Sequence, residues 1–238
     1  HTHVSGLGEY LAEDDSDGVR LAREVIARLD WRTPPLPQGR PPRYPADDLL
    51  GLVPEDYRKP FDMREAIARF ADDSDFLDFK PDYGGATVCG HAAVHGMALG
   101  IVTNNGPLDP AGSNKATHFI QTCCQAGLPI LYLQNTTGYI VGRASEEAGM
   151  IKHGSKMIQA VANANVPQIT LMCGASFGAG NYGMCGRAYE PRFLFSWPNA
   201  QTGVMGAEQA ALTMAIVTEA GMKRKGQPVD ETQIAALK

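Results

Sequence analysis

The sequence predicts an α/β fold, because one strand–turn–helix pattern recurs along its second half. Three times a proline opens an apolar, strand-like run that leads into a turn of small or polar residues, at 129–134, 167–172 and 191–197. Helical patterns lie between these runs. Strands that alternate with helices are joined by right-handed crossovers in one sheet. We therefore expect the turns after these strands to gather at one edge of the sheet, where binding sites form.

Composition limits the kinds of protein that this chain can be. Its 238 residues are 44% hydrophobic and 20% charged, with a formal net charge of −5, which is typical of one folded domain with a sizeable core. The longest basic cluster is Lys223-Arg224-Lys225, so we expect no nucleic-acid partner. No apolar run approaches the ~20 residues of a membrane helix. The five cysteines form no Cys-x-x-Cys pair, which favours free thiols in a reducing, cytoplasmic setting.

The first 70 residues predict two helices and a linker. Val19, Val25 and Ile26 share one face of a helix over 15–30, with Asp15 or Ser16 as its cap. Six prolines between Thr33 and Pro45 predict an extended linker. A short helix is expected near 62–70.

The central segment predicts a hairpin followed by a helix. Apolar runs at 87–94 and 97–104 are separated by His95-Gly96, as in a β-hairpin. Ser113 is the expected cap of the next helix, whose apolar residues recur at helical spacing. Gly127 should end that helix.

The glycine-rich segment from Cys173 to Arg187 is the most informative part of the chain. It contains five glycines and two alanines in fifteen residues, after an apolar run at 168–172. Such a segment lets a ligand approach the backbone closely. A helix that begins there would direct free N–H groups at the ligand and stabilise a developing oxyanion. Tight helix–strand packing explains the same glycines equally well, and the pattern leaves both interpretations open.

Few side chains in the sequence suit catalysis. There is no Gly-x-Ser-x-Gly elbow, His-Glu-x-x-His helix or phosphate-binding loop. His153 and Lys156 lie one turn apart in a helix expected after Gly149. A helix-surface or packing role is favoured for them over contact with an anion. We expect structural roles for His91 and His95. Glu146 and Glu147 are adjacent carboxylates where a loop meets a helix, and we expect them to be exposed to solvent. A second glycine-bearing turn, at 135–142, is by itself a plain strand–helix loop.

Five long strings of residues are specific enough to compare with a known family. They are Asn-x-Thr-Gly-Tyr-x-Val-Gly at 135–142, Lys-His-Gly-Ser-Lys-Met at 152–157, Ser-Phe-Gly-Ala-Gly-Asn-Tyr-Gly-Met-Cys-Gly-Arg-Ala-Tyr at 176–189, Trp-Pro-Asn-Ala at 197–200 and Val-Met-Gly-Ala-Glu-Gln-Ala-Ala at 204–211. Together they resemble the C-terminal domain of the carboxyltransferase (β) subunit of biotin-dependent acyl-CoA carboxylases. The run Asn-Tyr-Gly-Met-Cys-Gly is typical of the 3-methylcrotonyl-CoA and geranyl-CoA branch. Within that branch, the sequences at 103–115 and 135–139 are more similar to geranyl-CoA carboxylase than to 3-methylcrotonyl-CoA carboxylase.

The resemblance implies a crotonase-like fold, in which ββα units stack into a superhelix. It implies that residues 1–45 are an inter-domain helix and a proline-rich linker. Residues 46–238 would be the biotin-side domain, incomplete at its C-terminus. The chain begins at His1 without a methionine, so we expect a fragment that lacks the family's acyl-CoA domain and is inactive in isolation.

The resemblance also implies a site built from backbone. In the family, biotin serves as its own base, so no catalytic side chain and no metal ligand are needed. The N–H groups of Ala179 and Gly180 align with the oxyanion hole for the biotin ureido oxygen. The residues aligned with biotin or substrate contacts are Thr137, Gly138, Tyr139, Phe177, Gly178, Asn181 and Tyr182.

The function implied is transfer of CO2 from carboxybiotin to geranyl-CoA or 3-methylcrotonyl-CoA. Biotin would be carried by a partner, the biotin carboxylase/biotin carrier (α) subunit, and β subunits would form a homo-oligomer in a bacterial cytoplasm. Three alternatives stay open: another carboxyltransferase such as propionyl-CoA carboxylase, a hydratase or decarboxylase of the same fold, and an inactive biotin-binding or assembly module. No Met-Lys-Met motif occurs, so the chain is not expected to be biotinylated itself.

Overall fold

A mixed β-sheet carries the larger of two structural units. The computed structural model describes residues 1–29, 37–56, 59, 61–226, 228 and 231–236. These residues belong to two compact units, His1–Pro37 and Gln38–Lys238. The boundary expected near residue 45 from the family resemblance stays a prediction.

The elements predicted from the sequence occur in the predicted order, with helices between the parallel strands, and further short elements lie among them. In chain order they are α1 (Asp15–Arg28), α2 (Leu49–Leu52), α3 (Met63–Ile67), β1 (Leu77–Asp78), β2 (Thr87–Val94), β3 (Met97–Asn104), α4 (Pro110–Ala126), β4 (Ile130–Thr136), α5 (Arg143–Glu147), α6 (Met150–Ala162), β5 (Gln168–Phe177), α7 (Gly178–Gly183), β6 (Phe193–Ser196), β7 (Gln201–Gly203), α8 (Ala207–Arg224) and α9 (Glu231–Ala236).

The first unit consists mainly of α1, which confirms the predicted helix. Its cap is Asp14, whose side chain accepts a hydrogen bond from the Asp17 N–H, so the expected caps Asp15 and Ser16 were wrong. Asp14 is the residue with extended backbone, and an N-cap needs that conformation. Residue 30 of the predicted helix and positions 33–36 of the predicted linker lie outside the described residues.

The predicted hairpin is confirmed residue for residue. β2 pairs antiparallel with β3 from Thr87–Asn104 to Val94–Met97, which leaves His95 and Gly96 as the turn. Both turn residues have positive φ, 50° and 77°, as a tight two-residue hairpin turn requires. The Asp72 carboxylate accepts hydrogen bonds from both of their N–H groups, at 2.9 and 2.6 Å.

The sheet changes from antiparallel to parallel along its width. Its order in the described residues is β1-β2-β3-β4-β5-β6, and β7 also pairs with β5. Strands β1 to β3 are antiparallel, whereas β3 to β6 are parallel and are separated by helical crossovers. The turns after β4 and β5 therefore meet at one edge of the sheet, as the sequence predicts.

The helix after the hairpin begins earlier than its apolar pattern suggests. Asp109 caps α4 by accepting a hydrogen bond from the Gly112 N–H, and Pro110 takes the first helical position. The expected cap Ser113 was wrong, because it lies inside the helix and is fully buried. Gly127 ends α4 in the left-handed conformation (φ 67°), as predicted.

Both faces of the sheet are covered by apolar packing. On one face, Phe119 and Ile120 of α4 and Met157 of α6 pack with sheet residues such as Val102. On the other face, α3 contributes Met63 and Ile67 to a smaller cluster with Ile101 and Leu133. These two layers fix the strand ends that carry the candidate site.

The glycine-rich segment begins as strand. We expected a turn after residue 172, but β5 continues to Phe177. The β4–β5 register shifts here, from Gln134–Met172 to Thr136–Ser176, so β5 accommodates two extra residues. Gly174 lies against the Asn135 side-chain amide, where a Cβ would collide with it. A helix, α7, does begin within the segment, at Gly178, as predicted.

None of the helices in the part of the chain that the structure describes is both long and apolar enough to cross a membrane.

Candidate active site

Two glycine-bearing turns meet at the carboxyl edge of the sheet. One follows β4 and the other joins β5 to α7, and the adjacent strand ends are paired at Thr136 and Ser176. The first turn is held on its far side by Leu108, whose N–H donates to the Gly138 carbonyl at 2.9 Å. The Leu108 carbonyl in turn accepts from the Ile140 N–H at 2.9 Å. These bonds hold the first turn in place.

The contact between the turns is one of backbone against backbone. Gly138 has φ 117°, and a Cβ there would lie 3.2 Å from the Phe177 carbonyl oxygen. Gly178 has φ 55°, a conformation that glycine adopts at little cost. A Cβ on Gly180 would lie 2.7 Å from the Gly138 Cα. Side chains at Gly138 and Gly180 would therefore force the turns apart.

A pocket of about 470 Å³ opens beside this contact. Six of the nine residues aligned with family site residues line it. The other lining residues are Val141 and residues that lie just before α8 or in its first turn. The lining residues are Thr137, Gly138, Tyr139, Val141, Phe177, Gly178, Ala179, Val204, Met205, Gly206 and Gln209.

The pocket lies at the N-terminal ends of two helices. Gly178 and Ala179 begin α7, and Gly206 is the N-cap residue of α8. The first N–H groups of a helix have no acceptor one turn back, and they carry the positive end of the helix dipole. Among the described residues that line the pocket, no side chain is charged. An anionic oxygen bound here would therefore be stabilised by backbone N–H groups.

Tyr139 lies between the pocket and the core. Its ring lies against Gly154 of α6 and Gly183 of α7, and a Cβ on Gly183 would collide with the Tyr139 hydroxyl. That hydroxyl lies 3.4 Å from the Gly154 carbonyl oxygen. Burial raises the pKa of Tyr139, so the phenol stays neutral and is not available as a base near pH 7.

The remaining three aligned residues do not line the pocket. Gly180 is buried where the two turns meet. The Asn181 side chain extends beneath the turn, where its Nδ2 donates to Ser176 Oγ at 2.8 Å and to Gln134 Oε1 at 3.2 Å. Tyr182 is 46% exposed, and its ring packs edge-on against Tyr189 at 5.9 Å.

Sequence reasoning missed several residues around the site. Gln134 and Ser176 are fully buried polar residues beneath the turns. Gln134 ends a run that the pattern indicated as an apolar strand, and Ser176 lies where a turn was expected. Val204, Met205, Gly206 and Gln209 form one wall of the pocket. Their string at 204–211 was part of the family resemblance, which was the available signal for a role at the site.

Other candidate side chains lie outside the pocket lining. His91 packs against the Phe119 ring at 5.0 Å, as a structural residue does. Lys156 lines a separate groove between α4 and α6, and the half-buried His153 lies in the first turn of α6 next to Gly149. Glu147 pairs with Arg143 at 2.7 Å, and both side chains are largely exposed.

Comparison with known proteins gives concordant matches. The model of the family described as carboxyl transferase domain matches residues 1–238. The crystal structure of the P. aeruginosa geranyl-CoA carboxylase β subunit is 53% identical, with a TM-score of 0.85, and the match covers 100% of this chain and 45% of that one. The probable biotin-dependent acyl-coenzyme A carboxylase beta2 subunit of Mycobacterium tuberculosis is 51% identical, over 100% of this chain and 46% of the relative.

A eukaryotic relative matches over a similar share of its length. The mitochondrial methylcrotonoyl-CoA carboxylase beta chain of Dictyostelium discoideum is 46% identical, over 95% of this chain and 39% of the relative. The chain therefore spans less than half the length of these relatives. Its fold is that of the carboxyltransferase β subunits, which is crotonase-like.

Proposed function

The chain belongs to the carboxyl transferase domain family, and on this premise we propose that it provides the biotin-side half of a carboxyltransferase active site. The reaction is transfer of CO2 from carboxybiotin to an acyl-CoA. The observation that carries the proposal is the pocket between the N-termini of α7 and α8, lined by uncharged side chains and small-residue backbone.

The acyl group that we propose is branched and α,β-unsaturated, as in geranyl-CoA or 3-methylcrotonyl-CoA. Support comes from the 53% identity to a geranyl-CoA carboxylase β subunit and the 46% identity to a methylcrotonoyl-CoA carboxylase beta chain. Assays with both substrates, and with propionyl-CoA as the comparison, test this choice. Faster turnover of propionyl-CoA would contradict it.

The pocket suits a small, neutral ring system with one polar edge. A volume of about 470 Å³ lies within the usual range for small-molecule sites. Gly178 keeps the approach to the backbone open, because a Cβ there would meet the Val204 carbonyl oxygen at 3.1 Å. Phe177 and Met205 supply apolar surface, while the start of α7 supplies N–H donors.

We propose that the N–H groups of Ala179 and Gly180 bind the ureido oxygen of biotin. When bound, carboxybiotin supplies the CO2 and the base, so this chain need only hold and orient it. Hydrogen-bond donors that are already aligned stabilise negative charge on that oxygen without reorganisation. Thr137, Gly138, Tyr139, Phe177, Gly178, Asn181 and Tyr182 are proposed to shape this biotin site, with Asn181 and Tyr182 acting from beside the pocket.

The proposed whole enzyme has further parts and partners. Residues 46–238 would form the biotin-side domain, after a helix and linker at 1–45. The acyl-CoA would be bound by a second domain, and carboxybiotin would be delivered by an α subunit that carries biotin carboxylase and carrier domains. The 45% coverage of the solved β subunit supports this division. We place the enzyme in a bacterial cytoplasm, supported by the Mycobacterium tuberculosis relative and the five free cysteines.

We further propose that β subunits associate through α8. This helix has 18 residues, yet Ala215 is its single buried residue among those described. Leu212, Met214, Ile216 and Val217 are each more than half exposed. Apolar surface of this kind usually belongs to an interface.

The experiment that tests the function is Ala179→Pro in the complete β subunit, assayed together with its α subunit. Proline removes the Ala179 N–H. Proline is tolerated in the first turn of a helix, and Ala179 is exposed, so the fold should persist. We expect turnover to fall by about 10²–10³-fold, with a Tm within a few degrees of the parent.

Ala179→Ser is the matched control, because it keeps the N–H and changes only a small side chain. It should retain most of the parental turnover. If the proline variant folds and turns over at close to the parental rate, the start of α7 is a packing feature and not the oxyanion site.

A further inference from the structure

Beneath the proposed biotin site lies a buried chain of polar side chains centred on Gln134. Gln134 is in β4 and Ser176 in β5, and both are fully buried. Asn181, in α7, completes the chain from above. Buried polar groups are costly unless they are hydrogen-bonded, so their arrangement here is informative.

Each polar atom of Gln134 has a partner. Its Oε1 accepts from Ser176 Oγ at 2.5 Å and from Asn181 Nδ2 at 3.2 Å. Its Nε2 donates to the Met184 carbonyl at 2.8 Å. Asn181 Nδ2 also donates to Ser176 Oγ at 2.8 Å. The side chains of Gln134, Ser176 and Asn181 therefore form a closed ring of hydrogen bonds, in which each side chain is bonded to the other two.

This pattern ties both ends of α7 to the sheet. Asn181 is in the first turn of the helix, and Met184 is its C-cap residue. A helix of six residues has little stability of its own, because nucleation costs more than so few bonds return. The orientation of α7, and hence of its first N–H groups, therefore depends on these tertiary bonds.

Neighbouring glycines confirm how closely the ring is packed. A Cβ on Gly186 would collide with the Asn181 carboxamide, so residue 186 can only be small while Asn181 keeps this orientation. On the other side, Gly180 lies directly against Gly138. The first turn of α7 is thus held between the polar ring below and the Gly138 turn beside it.

We infer that Gln134 is a positioning residue for the carboxyl-transfer reaction. It acts through Asn181 and Met184 to hold α7 in the orientation on which the proposed donation by the Ala179 and Gly180 N–H groups depends. The inference rests on the proposed function of that pocket. It does not require Gln134 to touch biotin or acyl-CoA.

The test is Gln134→Met in the holoenzyme, formed from the complete β subunit with its α subunit. Methionine has a similar shape and lacks both the donor and the acceptor. We expect turnover to fall by about tenfold to a hundredfold, because small displacements of catalytic groups have effects of that size. KM for the acyl-CoA should stay unchanged. Amide hydrogen exchange at 178–184 should become faster.

Thr103→Val is the matched control. The buried hydroxyl of Thr103, in β3, donates a hydrogen bond of 2.8 Å to the carbonyl of Leu133, the residue before Gln134 in β4. Its removal therefore costs a similar buried hydrogen bond that does not involve α7. It should lower Tm without changing turnover or exchange at 178–184. Ser176→Ala, which leaves the Gln134–Asn181 bond in place, gives an intermediate loss and serves as the test if the Gln134 variant does not fold.

The outcomes separate this inference from the proposed function. The positioning role would be overturned if Gln134→Met, or Ser176→Ala as its substitute, had the turnover of the parent and the same amide hydrogen exchange at 178–184. A turnover loss equal to that of Thr103→Val would also overturn it. If Ala179→Pro is inactive while Gln134→Met is fully active, the inference fails and the proposed function stands. If Ala179→Pro is fully active, the start of α7 is not the oxyanion site, so that part of the proposed function fails, and the positioning role that rests on it fails too.

Discussion

Gly180 of α7 lies directly against Gly138 of the turn after β4, so that a Cβ on Gly180 would come within 2.7 Å of the Gly138 Cα. The turn that contains Gly138 is held in place, because the Gly138 carbonyl accepts a hydrogen bond from the Leu108 N–H and the Ile140 N–H donates to the Leu108 carbonyl. That turn cannot move aside without losing these bonds. This contact sets the distance between the two turns that border the pocket.

The first prediction is that Gly180→Ala destabilises the protein. Forcing a methyl group into a packed backbone contact typically costs about 1–3 kcal/mol, and here it also displaces the start of α7. The free energy of unfolding, measured by urea denaturation, gives the size of the loss. Substitutions of Gly180 therefore do not separate steric access from hydrogen bonding, which is why the functional test uses Ala179.

Gly51→Ala is the control for that measurement. Gly51 lies in α2, and no atom approaches within 4 Å of a Cβ built there. Replacing a helical glycine by alanine usually stabilises by about 0.5–1 kcal/mol. Equal effects of the two substitutions would contradict the close contact between the turns.

The second prediction concerns Gly183 and Tyr139. Gly183→Ala places a methyl group against the Tyr139 hydroxyl, so it should destabilise by about 1–3 kcal/mol. Tyr139→Phe alone should cost less, because the hydroxyl makes a long bond of 3.4 Å to the Gly154 carbonyl. In the double variant the collision with the hydroxyl is removed, and the ring carbon Cζ stays at 3.0 Å from the new Cβ. A double-mutant cycle should then give a favourable coupling of about 0.5–3 kcal/mol; strict additivity would rule out the contact.

These contacts explain how far the sequence could predict the glycine-rich segment. Of its two open interpretations, tight packing applies to several of these glycines, and ligand approach stays a prediction. Gly174, Gly183 and Gly186 each face a neighbouring side chain, whereas Gly178 has a positive φ beside the pocket. Sequence spacing cannot separate these roles, because a glycine's partner comes from elsewhere in the chain.

The hairpin and the parallel strands were predictable for a different reason. The apolar runs, the His95-Gly96 turn and the prolines that open strands are local signals, and the observed strands follow them. Local signals failed where tertiary contacts decide. The turn expected after residue 172 is such a case, because β5 continues through Gly174, which lies against the Asn135 side chain of the neighbouring strand. The start of α4 is a different case: its cap, Asp109, stands directly before Pro110, and the apolar spacing alone does not include that local signal. The ring around Gln134 joins positions 42 to 50 residues apart, which no pattern of spacing reveals.

The third prediction is that α8 mediates self-association. Leu212 and Ile216 are one turn apart and 52% and 58% exposed. Leu212→Glu with Ile216→Glu should shift the assembled β subunit toward smaller species in sedimentation velocity, because charge is costly in an apolar interface. The control places the same two charges on exposed α4 positions, as Gln121→Glu with Gln125→Glu. An unchanged distribution for the α8 variant would exclude this helix from the interface.

The fourth prediction is a pH dependence at Asp62, the cap residue of α3. Partial burial by itself raises the pKa of Asp62. Hydrogen bonds from the Arg64 N–H at 3.0 Å and the Asn105 amide at 2.8 Å, with the Arg64 charge, outweigh it and hold the pKa below its ordinary value. The charged form is therefore favoured by folding. Its stabilisation is complete above the unfolded pKa of about 3.9 and is lost as pH falls through the folded pKa.

Asp62→Asn keeps the capping oxygen and removes the charge. At pH 7 we expect a loss below about 1 kcal/mol, because the Asp62 side chain is 47% exposed and its ion pair is screened by solvent. The difference from the parent, measured by urea denaturation, should be constant between pH 5 and 7, at about its full value. It should shrink as pH falls below about 4. Asp82→Asn, at an exposed carboxylate, is the control. A loss that grows toward low pH would show that the charged form of Asp62 is disfavoured by the fold.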